Sequence, residues 1–451
     1  MPRHSIHPGV PTLTTNEIDL LVLPRWLVPV EPAGAVLEDH ALAIDGGRIL
    51  ELLPADFARQ RYRARETRVL DRHAVLPGLV NAHTHAAMSL MRGLADDLPL
   101  MQWLQEHIWP TEGAHVSEAF CTAGLRLAMA EMIRGGTTCF NDMYFFPDRT
   151  AQEALAAGLR ASVGLIVLDF PTAWADDADD YIRKGLELHD ALRGEALIRC
   201  CFAPHAPYTV SDAPLKRIRK LATELELPVH MHVHETAGEV EQAVAETGKR
   251  PLARLDELGL LGPDLLAVHM TQLDDAEIEQ CATAGVHVLH CPESNLKLAS
   301  GFCPTAKLAA AGINLAIGTD GAASNNDLDM FGEMRSAALL AKGVSGDATA
   351  VSAAQALEMA TINGARALGM DDQIGSLLPG KSADFMALRL NDVSTQPLYN
   401  AISQVVYAAH RGLVSDVFVA GKALLRGGEL QTMDEAQVLA QAAAWRARIA
   451  A

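Results

Sequence analysis

Short apolar runs recur roughly every 25 to 40 residues through the middle of the chain, and segments with a helical pattern separate most of them. This alternation is typical of βα units around a parallel sheet. The pattern predicts eight strands, at residues 76–82, 138–141, 162–168, 198–203, 228–233, 265–269, 287–290 and 313–318. Eight parallel strands over about 240 residues indicate the α/β class and a (β/α)8 TIM barrel rather than an open sheet.

The two ends of the chain show a different, β-rich pattern. Residues 36–53 contain two β-like runs around Asp45-Gly46-Gly47, which is a hairpin turn signal, and residues 415–429 repeat the theme. Since chain termini usually lie close together, we expect the ends to form one small composite β-sandwich. The predicted boundaries are 1–76 and 374–451 for the two parts of the sandwich and 77–373 for the barrel.

Composition excludes several classes of protein. The chain has 451 residues, of which 49% are hydrophobic and 21% charged, as in ordinary globular proteins. Its formal net charge of -19 argues against a nucleic-acid partner, since such binding needs clustered Lys and Arg. An 18-residue apolar run is lacking, and residues 1–7 do not resemble a signal peptide, so we expect a cytoplasmic protein with no membrane partner. The seven scattered cysteines are predicted to be reduced and buried.

Histidines alternate at the ends of two predicted strands. His83 and His85 follow the first strand, and residues two apart on a strand point to the same face. The fifth strand carries His230, His232 and His234, all of which can face the barrel interior by the same periodicity. Periodicity does not select the ligand among these three.

Three more predicted strands end in residues of types that can bind metals. His269 ends the sixth strand, His290 the seventh, and Asp320 follows the eighth. Active sites of TIM barrels lie at the carboxyl ends of the strands, where these residues would meet. Imidazoles with a carboxylate suit Zn²⁺ or another divalent ion with one position open for water.

The motifs that contain these residues resemble those of the amidohydrolase superfamily, in its deaminase and chlorohydrolase branch. The chain is most similar to the 5'-methylthioadenosine/S-adenosylhomocysteine deaminases. The motifs are PGLVNAHTH at 77–85, HVHE at 232–235, HCPESNLKL at 290–298 and GTDGAASNN at 318–326, with IGSL at 374–377 and GKSAD at 380–384 towards the end.

The resemblance implies a ligand set and one metal ion. The ligands would be His83, His85, His232 and Asp320, because the family's metal histidine lies three residues before a catalytic glutamate, here Glu235. Binuclear relatives have a bridging lysine at the end of strand four, which residues 200–207 lack. One divalent ion is therefore expected, Zn²⁺ first, with Fe²⁺ and Mn²⁺ as alternatives.

The resemblance also implies the catalytic groups. Glu235 would donate a proton to the ring nitrogen of the substrate, and His269 would orient the attacking hydroxide. Asp320, a ligand with a free oxygen, would accept the proton of the water. Glu112 would bind ribose hydroxyls and His205 would contact the substrate, as would Glu235 and Asp320.

The expected activity is hydrolytic deamination of 5'-methylthioadenosine and/or S-adenosylhomocysteine to the inosyl product and ammonia, by a homodimer or homotetramer. An apolar shelf for the 5' sulfur substituent is expected from Met88, Met91, Leu94, Trp103, Leu104 and Trp109. S-adenosylhomocysteine would also need a cation for its carboxylate, for which Arg92 and Arg160 are the candidates.

Two other functions compete with this one. An aminohydrolase or chlorohydrolase of a guanine, pterin or s-triazine type of ring would share every metal ligand, but Glu112 with His205 favours a nucleoside. A non-catalytic assembly protein on the same scaffold would lack ligands or the proton donor. The expected ligands and the expected catalytic groups are all present in this sequence: His83, His85, His232, Glu235, His269 and Asp320.

Overall fold

The computed structural model describes residues 16–451. The expectation about a signal peptide concerns residues 1–7, which lie outside the described residues. Five strands come before the barrel: β1 (Asn16–Leu27), β2 (Leu37–Glu38), β3 (His40–Asp45), β4 (Arg48–Pro54) and β5 (Tyr62–Pro77). Eight form the barrel: β6 (Leu79–Thr84), β7 (Thr137–Asp142), β8 (Arg160–Val167), β9 (Ile198–Pro204), β10 (Val229–Val233), β11 (Leu265–His269), β12 (His287–His290) and β13 (Leu315–Ile317). Four follow it: β14 (Phe385–Arg389), β15 (Val414–Val419), β16 (Lys422–Arg426) and β17 (Glu429–Leu430).

The barrel strands pair in parallel and in sequence order from β6 to β13. The ring is completed between its first and last strands by a backbone hydrogen bond from Asp320 N to His83 O at 3.0 Å. The eight-stranded barrel predicted from the apolar runs is confirmed, and each predicted strand overlaps an observed one.

The first predicted strand, 76–82, begins too early. Leu76 and Pro77 belong to β5 of the other sheet, and the barrel strand begins only at Leu79. Gly78 makes this crossing between sheets at a point of close approach, since a Cβ atom there would lie 2.1 Å from the Thr138 side chain. The apolar run is continuous across both sheets, so the pattern alone does not mark the break.

The ends of the chain form one mixed sheet, in the order β17-β16-β15-β14-β5-β1-β3-β4, with β2 paired to β1. Strands of the N-terminal and C-terminal segments meet where β5 pairs antiparallel with β14. The predicted hairpin is β3–β4, which turns between the paired Asp45 and Arg48. The small β-domain built from both ends is thus confirmed, and its strands belong to one hydrogen-bonded sheet.

Helices surround the barrel and extend its loops. They are α1 (Ala55–Arg61), α2 (Leu100–Trp103), α3 (Trp109–His115), α4 (Glu118–Arg134), α5 (Pro147–Ala157), α6 (Ala178–Ala191), α7 (Asp212–Leu225), α8 (Ala237–Thr247), α9 (Pro251–Glu257), α10 (Asp275–Ala284), α11 (Pro292–Lys297), α12 (Thr305–Ala310), α13 (Ala322–Asn325), α14 (Met330–Ser345), α15 (Ala353–Met359), α16 (Ile362–Ala367), α17 (Ala401–Tyr407) and α18 (Glu435–Ile449). A π-helical turn, Leu104–Ile108, joins α2 to α3. Short 3-10 helices lie at Ala86–Met91, Val393–Thr395 and Arg411–Leu413. The C-terminal α18 packs on the barrel helix α4, where Trp445 meets Phe120 edge to face with 5.3 Å between ring centroids.

Each sheet has its own core. Phe140 and Phe202 are fully buried in the large cluster that joins the barrel strands to their helices. In the terminal sheet, Phe385 and Phe418 stack with ring centroids 4.5 Å apart. All seven cysteines are free and buried, as predicted. Among residues 16–451, no helix is both long and apolar enough to cross a membrane.

Candidate metal centre and active site

Four side chains at the carboxyl ends of three barrel strands converge on one point. His83 lies in β6 and His85 just after it, His232 lies in β10, and Asp320 follows β13. One potential ligand atom of each lies within 4.8 Å of those of the others. All four were predicted from the sequence as metal ligands.

The spacing of these atoms fits a divalent ion. Nε2 of His232 lies 3.2 Å from Nε2 of His83 and 3.3 Å from Nε2 of His85. Asp320 Oδ1 lies 3.3 Å from Nε2 of both His83 and His85. A Zn²⁺ ion with bonds of about 2.0 to 2.1 Å separates tetrahedral ligands by about 3.3 Å, so the donor set matches zinc in both chemistry and spacing.

The other nitrogen of each ring is held by a second contact. His85 Nδ1 is hydrogen-bonded to Met143 O, and His232 Nδ1 donates to His205 O at 2.8 Å. His83 Nδ1 lies 2.8 Å from Nε2 of His230. Carbonyl oxygens accept only, so the rings of His85 and His232 carry their proton on Nδ1 and offer the Nε2 lone pair to a metal.

Burial sets the charge of these groups. It lowers the pKa of His83 to about 4 and holds the pKa of His232 well below its usual value, so both rings are neutral. Burial by itself would raise the pKa of Asp320, but the hydrogen bond from His83 and the neighbouring imidazoles hold it well below the usual range. Neutral imidazoles and an ionised carboxylate are the protonation states in which these groups bind metals.

Asp320 is fixed on both oxygens. Its Oδ2 accepts the hydroxyls of Ser294 at 2.6 Å and Ser324 at 2.8 Å, and its Oδ1 accepts the N–H of Gly321 at 2.8 Å. The sequence-based expectation of a free oxygen on Asp320 is therefore wrong. Ser324 Oγ has a second acceptor in Gly321 O at 3.0 Å, so its hydroxyl can turn away from the carboxylate.

His269 and Glu235 lie beside the four ligands. His269, at the end of β11, stacks on His232 with ring centroids 5.4 Å apart, and its Nδ1 is 2.8 Å from Asn295 Oδ1. Its Nε2 therefore carries the lone pair and lies 3.8 Å from Glu235 Oε2. Burial, with a contribution from Asp320, raises the pKa of Glu235 to about 8, so this carboxyl is a proton donor at neutral pH.

These groups line a cavity of about 260 Å³ that opens above the barrel. Glu112 of α3 lies in its wall and accepts a hydrogen bond from the Tyr144 hydroxyl at 2.7 Å. Burial raises the pKa of the Glu112 carboxyl to about 7, against the opposing effect of Tyr144. Near that pH the carboxylate can accept hydrogen bonds from hydroxyl groups of a ligand.

His205, which follows β9, also lines the cavity. Its Nδ1 is 3.0 Å from Thr209 Oγ1, which leaves Nε2 as its second polar ring atom. Burial lowers the pKa of His205 to about 3, so the ring is neutral.

Two histidines that the sequence raised as candidates lie elsewhere. His234 lies beyond the end of β10, and its Nε2 accepts the N–H of Leu252 at 3.2 Å, so it does not face the barrel interior with His230 and His232. His290 lies at the end of β12 and contributes no atom to the four-ligand group.

The expected shelf and cations are only partly present. Met88, Trp103, Leu104 and Trp109 line the cavity, whereas Met91 is buried in the core and Leu94 lies outside.

Arg92 is paired with Glu131 instead of lining the cavity. Arg160 begins β8, at the opposite end of the barrel, where it binds Asp384 at 3.0 Å. Neither arginine is available to a ligand's carboxylate.

Sequence reasoning missed the partners of the predicted residues. Ser294 and Asn295 stand within a recognised motif, so a carboxylate and a histidine nearby could have suggested their contacts. Tyr144 has no such signal, because only the fold brings it to Glu112 across 32 positions.

The chain is similar to known proteins over most of its length. The profile of the Amidohydrolase family matches residues 74–424. A 5-methylthioadenosine/S-adenosylhomocysteine deaminase of Saccharophagus degradans is 52% identical, over 96% of this chain and 97% of that protein. A 5'-deoxyadenosine deaminase of Methanothermobacter thermautotrophicus is 45% identical, over 82% of this chain and 86% of that protein.

A solved structure is also similar over nearly the whole chain. It is the crystal structure of an adenosine deaminase from Xanthomonas campestris with bound zinc, 55% identical, with a TM-score of 0.96 over 97% of this chain and 99% of that one. With a family profile that spans most of the chain and relatives of about half-identical sequence, the chain belongs to the amidohydrolase family.

Proposed function

We propose that the protein is a metal-dependent hydrolytic deaminase of adenosine derivatives, which converts 5'-methylthioadenosine and/or S-adenosylhomocysteine to the inosyl product and ammonia. The observation that carries the proposal is the four-ligand group with Glu235 and His269 beside it, in a cavity whose wall bears the Glu112–Tyr144 pair. The names of the relatives at 52% and 45% identity agree with an adenosine derivative.

His83, His85, His232 and Asp320 would hold one divalent ion, Zn²⁺ first, with Fe²⁺ or Mn²⁺ as alternatives. Such an ion lowers the pKa of water from about 15.7 to about 7 and so supplies a hydroxide nucleophile at neutral pH. Zinc in the similar Xanthomonas campestris structure supports this choice.

The remaining groups move protons at named atoms. His269 Nε2 accepts a hydrogen bond and so orients the nucleophile towards C6 of the adenine ring. Asp320 accepts the proton of the water when the Ser324 hydroxyl turns to Gly321 O. Glu235, protonated at neutral pH, donates to the ring nitrogen as the tetrahedral carbon forms, as a non-ligand Glu does in zinc nucleobase deaminases. Asp320 then gives its proton to the amino group as the C6–N bond breaks and ammonia leaves, and the C6 hydroxyl returns a proton to Glu235 as the carbonyl forms.

Glu112 and His205 would bind the rest of the nucleoside. An ionised Glu112, oriented by Tyr144, accepts hydrogen bonds from the ribose hydroxyls, and His205 contacts the base. This is also the argument against the second candidate, a hydrolase of guanine, pterin or s-triazine rings, since a free heterocycle offers no vicinal hydroxyls to Glu112.

An ammonia-release assay tests the function. The enzyme is incubated with 5'-methylthioadenosine, S-adenosylhomocysteine, adenosine, guanine and an s-triazine, and its metal content is measured on the same sample. We expect release from the adenosine derivatives, and a kcat lower by about 10²- to 10⁴-fold in Glu235→Gln with metal retained. Release of ammonia from guanine or an amino-s-triazine alone, or of chloride from a chloro-s-triazine, would establish the second candidate instead.

Metal content tests the ligand set. The double variant His83→Ala/His85→Ala should lose the ion, because two of four ligands are gone, while Glu235→Gln serves as the matched control that keeps it. One equivalent of metal in the double variant, measured by mass spectrometry, would show that the ligands are others.

We also propose a cytoplasmic homodimer or homotetramer without nucleic-acid or membrane partners. Light scattering coupled to gel filtration measures the oligomeric state, and a monomeric mass would contradict this part of the proposal.

A further inference from the structure

The outer part of the cavity is built from apolar side chains of two loops. One is the helical segment that follows β6, with Leu100, Trp103 and Trp109, and the other is the loop after β8, with Leu168 and Phe170. Trp109 is 39% exposed and Phe170 is 44% exposed, so these two side chains lie at the mouth of the cavity. Glu112 follows Trp109 by one turn on α3, so a ribose bound at Glu112 would have its 5' substituent beside this apolar wall.

Apart from histidines and tyrosines, the ionisable side chains of the described residues in the cavity wall are carboxyl groups. Glu112, Glu235 and Asp320 line the cavity, and among residues 16–451 no lysine or arginine does. A ligand carboxylate in the outer part of this cavity would therefore find no lysine or arginine side chain among the described lining residues.

Three cations near the lining loops already have partners. Each is paired with carboxylate or carbonyl oxygens: Lys184 with Asp180 and Trp174 O, Lys297 with Asp96 and Asn326, and Arg254 with Asp212 and Pro207 O. Turning one of them towards a ligand would leave its present partner unpaired, which costs free energy. The apolar wall can therefore make dispersion contacts with a bound ligand. Among residues 16–451 it contains no lysine or arginine that could pair with a ligand carboxylate.

We propose that this outer pocket selects adenosine derivatives with an uncharged, apolar 5' substituent and discriminates against S-adenosylhomocysteine. The inference rests on the proposed deaminase function and narrows its substrate class to alkylthio and deoxy nucleosides. A homocysteine carboxylate would give up water on entering the pocket and meet no cation there. Trp103, Trp109 and Phe170 are the residues that determine this specificity.

A series of three substrates separates charge from size. The series is 5'-methylthioadenosine, 5'-n-butylthio-5'-deoxyadenosine and S-adenosylhomocysteine, of which the last two have the same chain length. We expect kcat/KM for the butylthio compound to be within about tenfold of that for the methylthio compound, and at least about tenfold above that for S-adenosylhomocysteine. A smaller ratio, or an equal fall for both long substituents, overturns the proposal. Release of ammonia from none of the three would instead mean that the proposed function fails.

A pair of variants tests where the substituent lies. In Phe170→Arg the mouth gains a cation, and in the matched Phe170→Gln it loses the ring without gaining charge. The ratio of kcat/KM for S-adenosylhomocysteine to that for 5'-methylthioadenosine should be at least about threefold higher in the Arg variant than in the Gln variant, with the difference shrinking in high salt. Equal ratios in the two variants overturn the placement beside Phe170.

Discussion

The chemistry of Glu235 follows from its surroundings. An exposed glutamate is ionised at neutral pH, but this one is buried beside Asp320, and its pKa of about 8 keeps the proton on the carboxyl. A buried proton donor of this kind next to a metal group is what hydrolytic deamination needs, because the ring nitrogen must gain a proton.

The pH dependence of the reaction should report this group. Because the pKa is raised, the donor form is present below about pH 8 and is lost as the pH rises above it, so kcat/KM should fall on the alkaline side with that pKa. Glu235→Gln should lose this limb together with most of its activity. If the limb persists unchanged in the variant, the titrating group is another residue.

At this scale the sequence predicted the residues but not their contacts. His83, His85, His232 and Asp320 were named as a group that converges, and they do. Periodicity left open whether His234 also faces inward, and its ring instead accepts the N–H of Leu252. Alternation holds only while the strand continues, and β10 ends at Val233. The serine hydroxyls on Asp320 were outside the reach of any periodicity.

At the scale of elements, the start of α8 holds the turn that carries Glu235. Both oxygens of Glu239 accept backbone N–H groups, Oε2 from Glu235 at 2.7 Å and Oε1 from His234 at 3.2 Å. The Thr236 hydroxyl caps the helix by accepting from Glu239 N. Glu239 thus fixes the backbone that carries Glu235, the proposed proton donor.

Removing the Glu239 carboxylate should lower kcat more than it changes KM. In Glu239→Ala we expect kcat to fall about tenfold with KM changed less than about threefold, because a misplaced donor affects the transition state. Glu241→Ala, an exposed change on the same helix, is the control and should behave as wild type. A variant with full kcat would show that the helix positions Glu235 without this contact.

The elements themselves were largely predictable. Each barrel strand is a short apolar run between turn residues, and the β3–β4 hairpin has its glycine turn. The exception is the crossing at Gly78, where β5 of one sheet leads into β6 of the other without a break in the apolar pattern. The last four residues of β5, 74–77, are buried like those of β6, so the two segments look alike in sequence.

At the scale of the whole molecule, a buried ion pair joins the barrel to the terminal sheet. Arg160, the first residue of β8, donates to Asp384 at 3.0 Å, and their side chains are 5% and 1% exposed. Asp384 also accepts the N–H of Ala420, and Arg160 also donates to Ala196 O. The pair lies at the end of the barrel away from the metal group.

Breaking this pair should destabilise the protein without affecting the site. Arg160→Ala leaves Asp384 buried without its cation, which typically costs about 3 to 5 kcal/mol, so the denaturant midpoint should fall clearly. Arg183→Ala, which removes the two surface pairs that Arg183 makes with Asp180 and Glu187 on α6, should cost less than about 1 kcal/mol. Metal content of the folded Arg160 variant should equal that of wild type. An unchanged midpoint would contradict a role for the pair in joining the two sheets.

The division of the chain at residues 76 and 373 stays a prediction, which limited proteolysis would test. The packing of Trp445 on Phe120 links the last helix to the barrel as well. Cleavage within 374–451 should therefore release fragments only under conditions that also loosen the barrel.

The sequence by itself determined the barrel and the small β-domain built from both ends, because local periodicity marks their strands. Its motifs, through their resemblance to a known family, also named the four side chains that converge. Only the tertiary structure decided that Tyr144 donates a hydrogen bond to Glu112 and that two serine hydroxyls donate to Asp320. It also decided that Arg92 pairs with Glu131 and Arg160 with Asp384. Such contacts join residues far apart in the chain. Their partners are chosen by packing and by the need to satisfy buried polar groups, neither of which leaves a pattern in a single sequence.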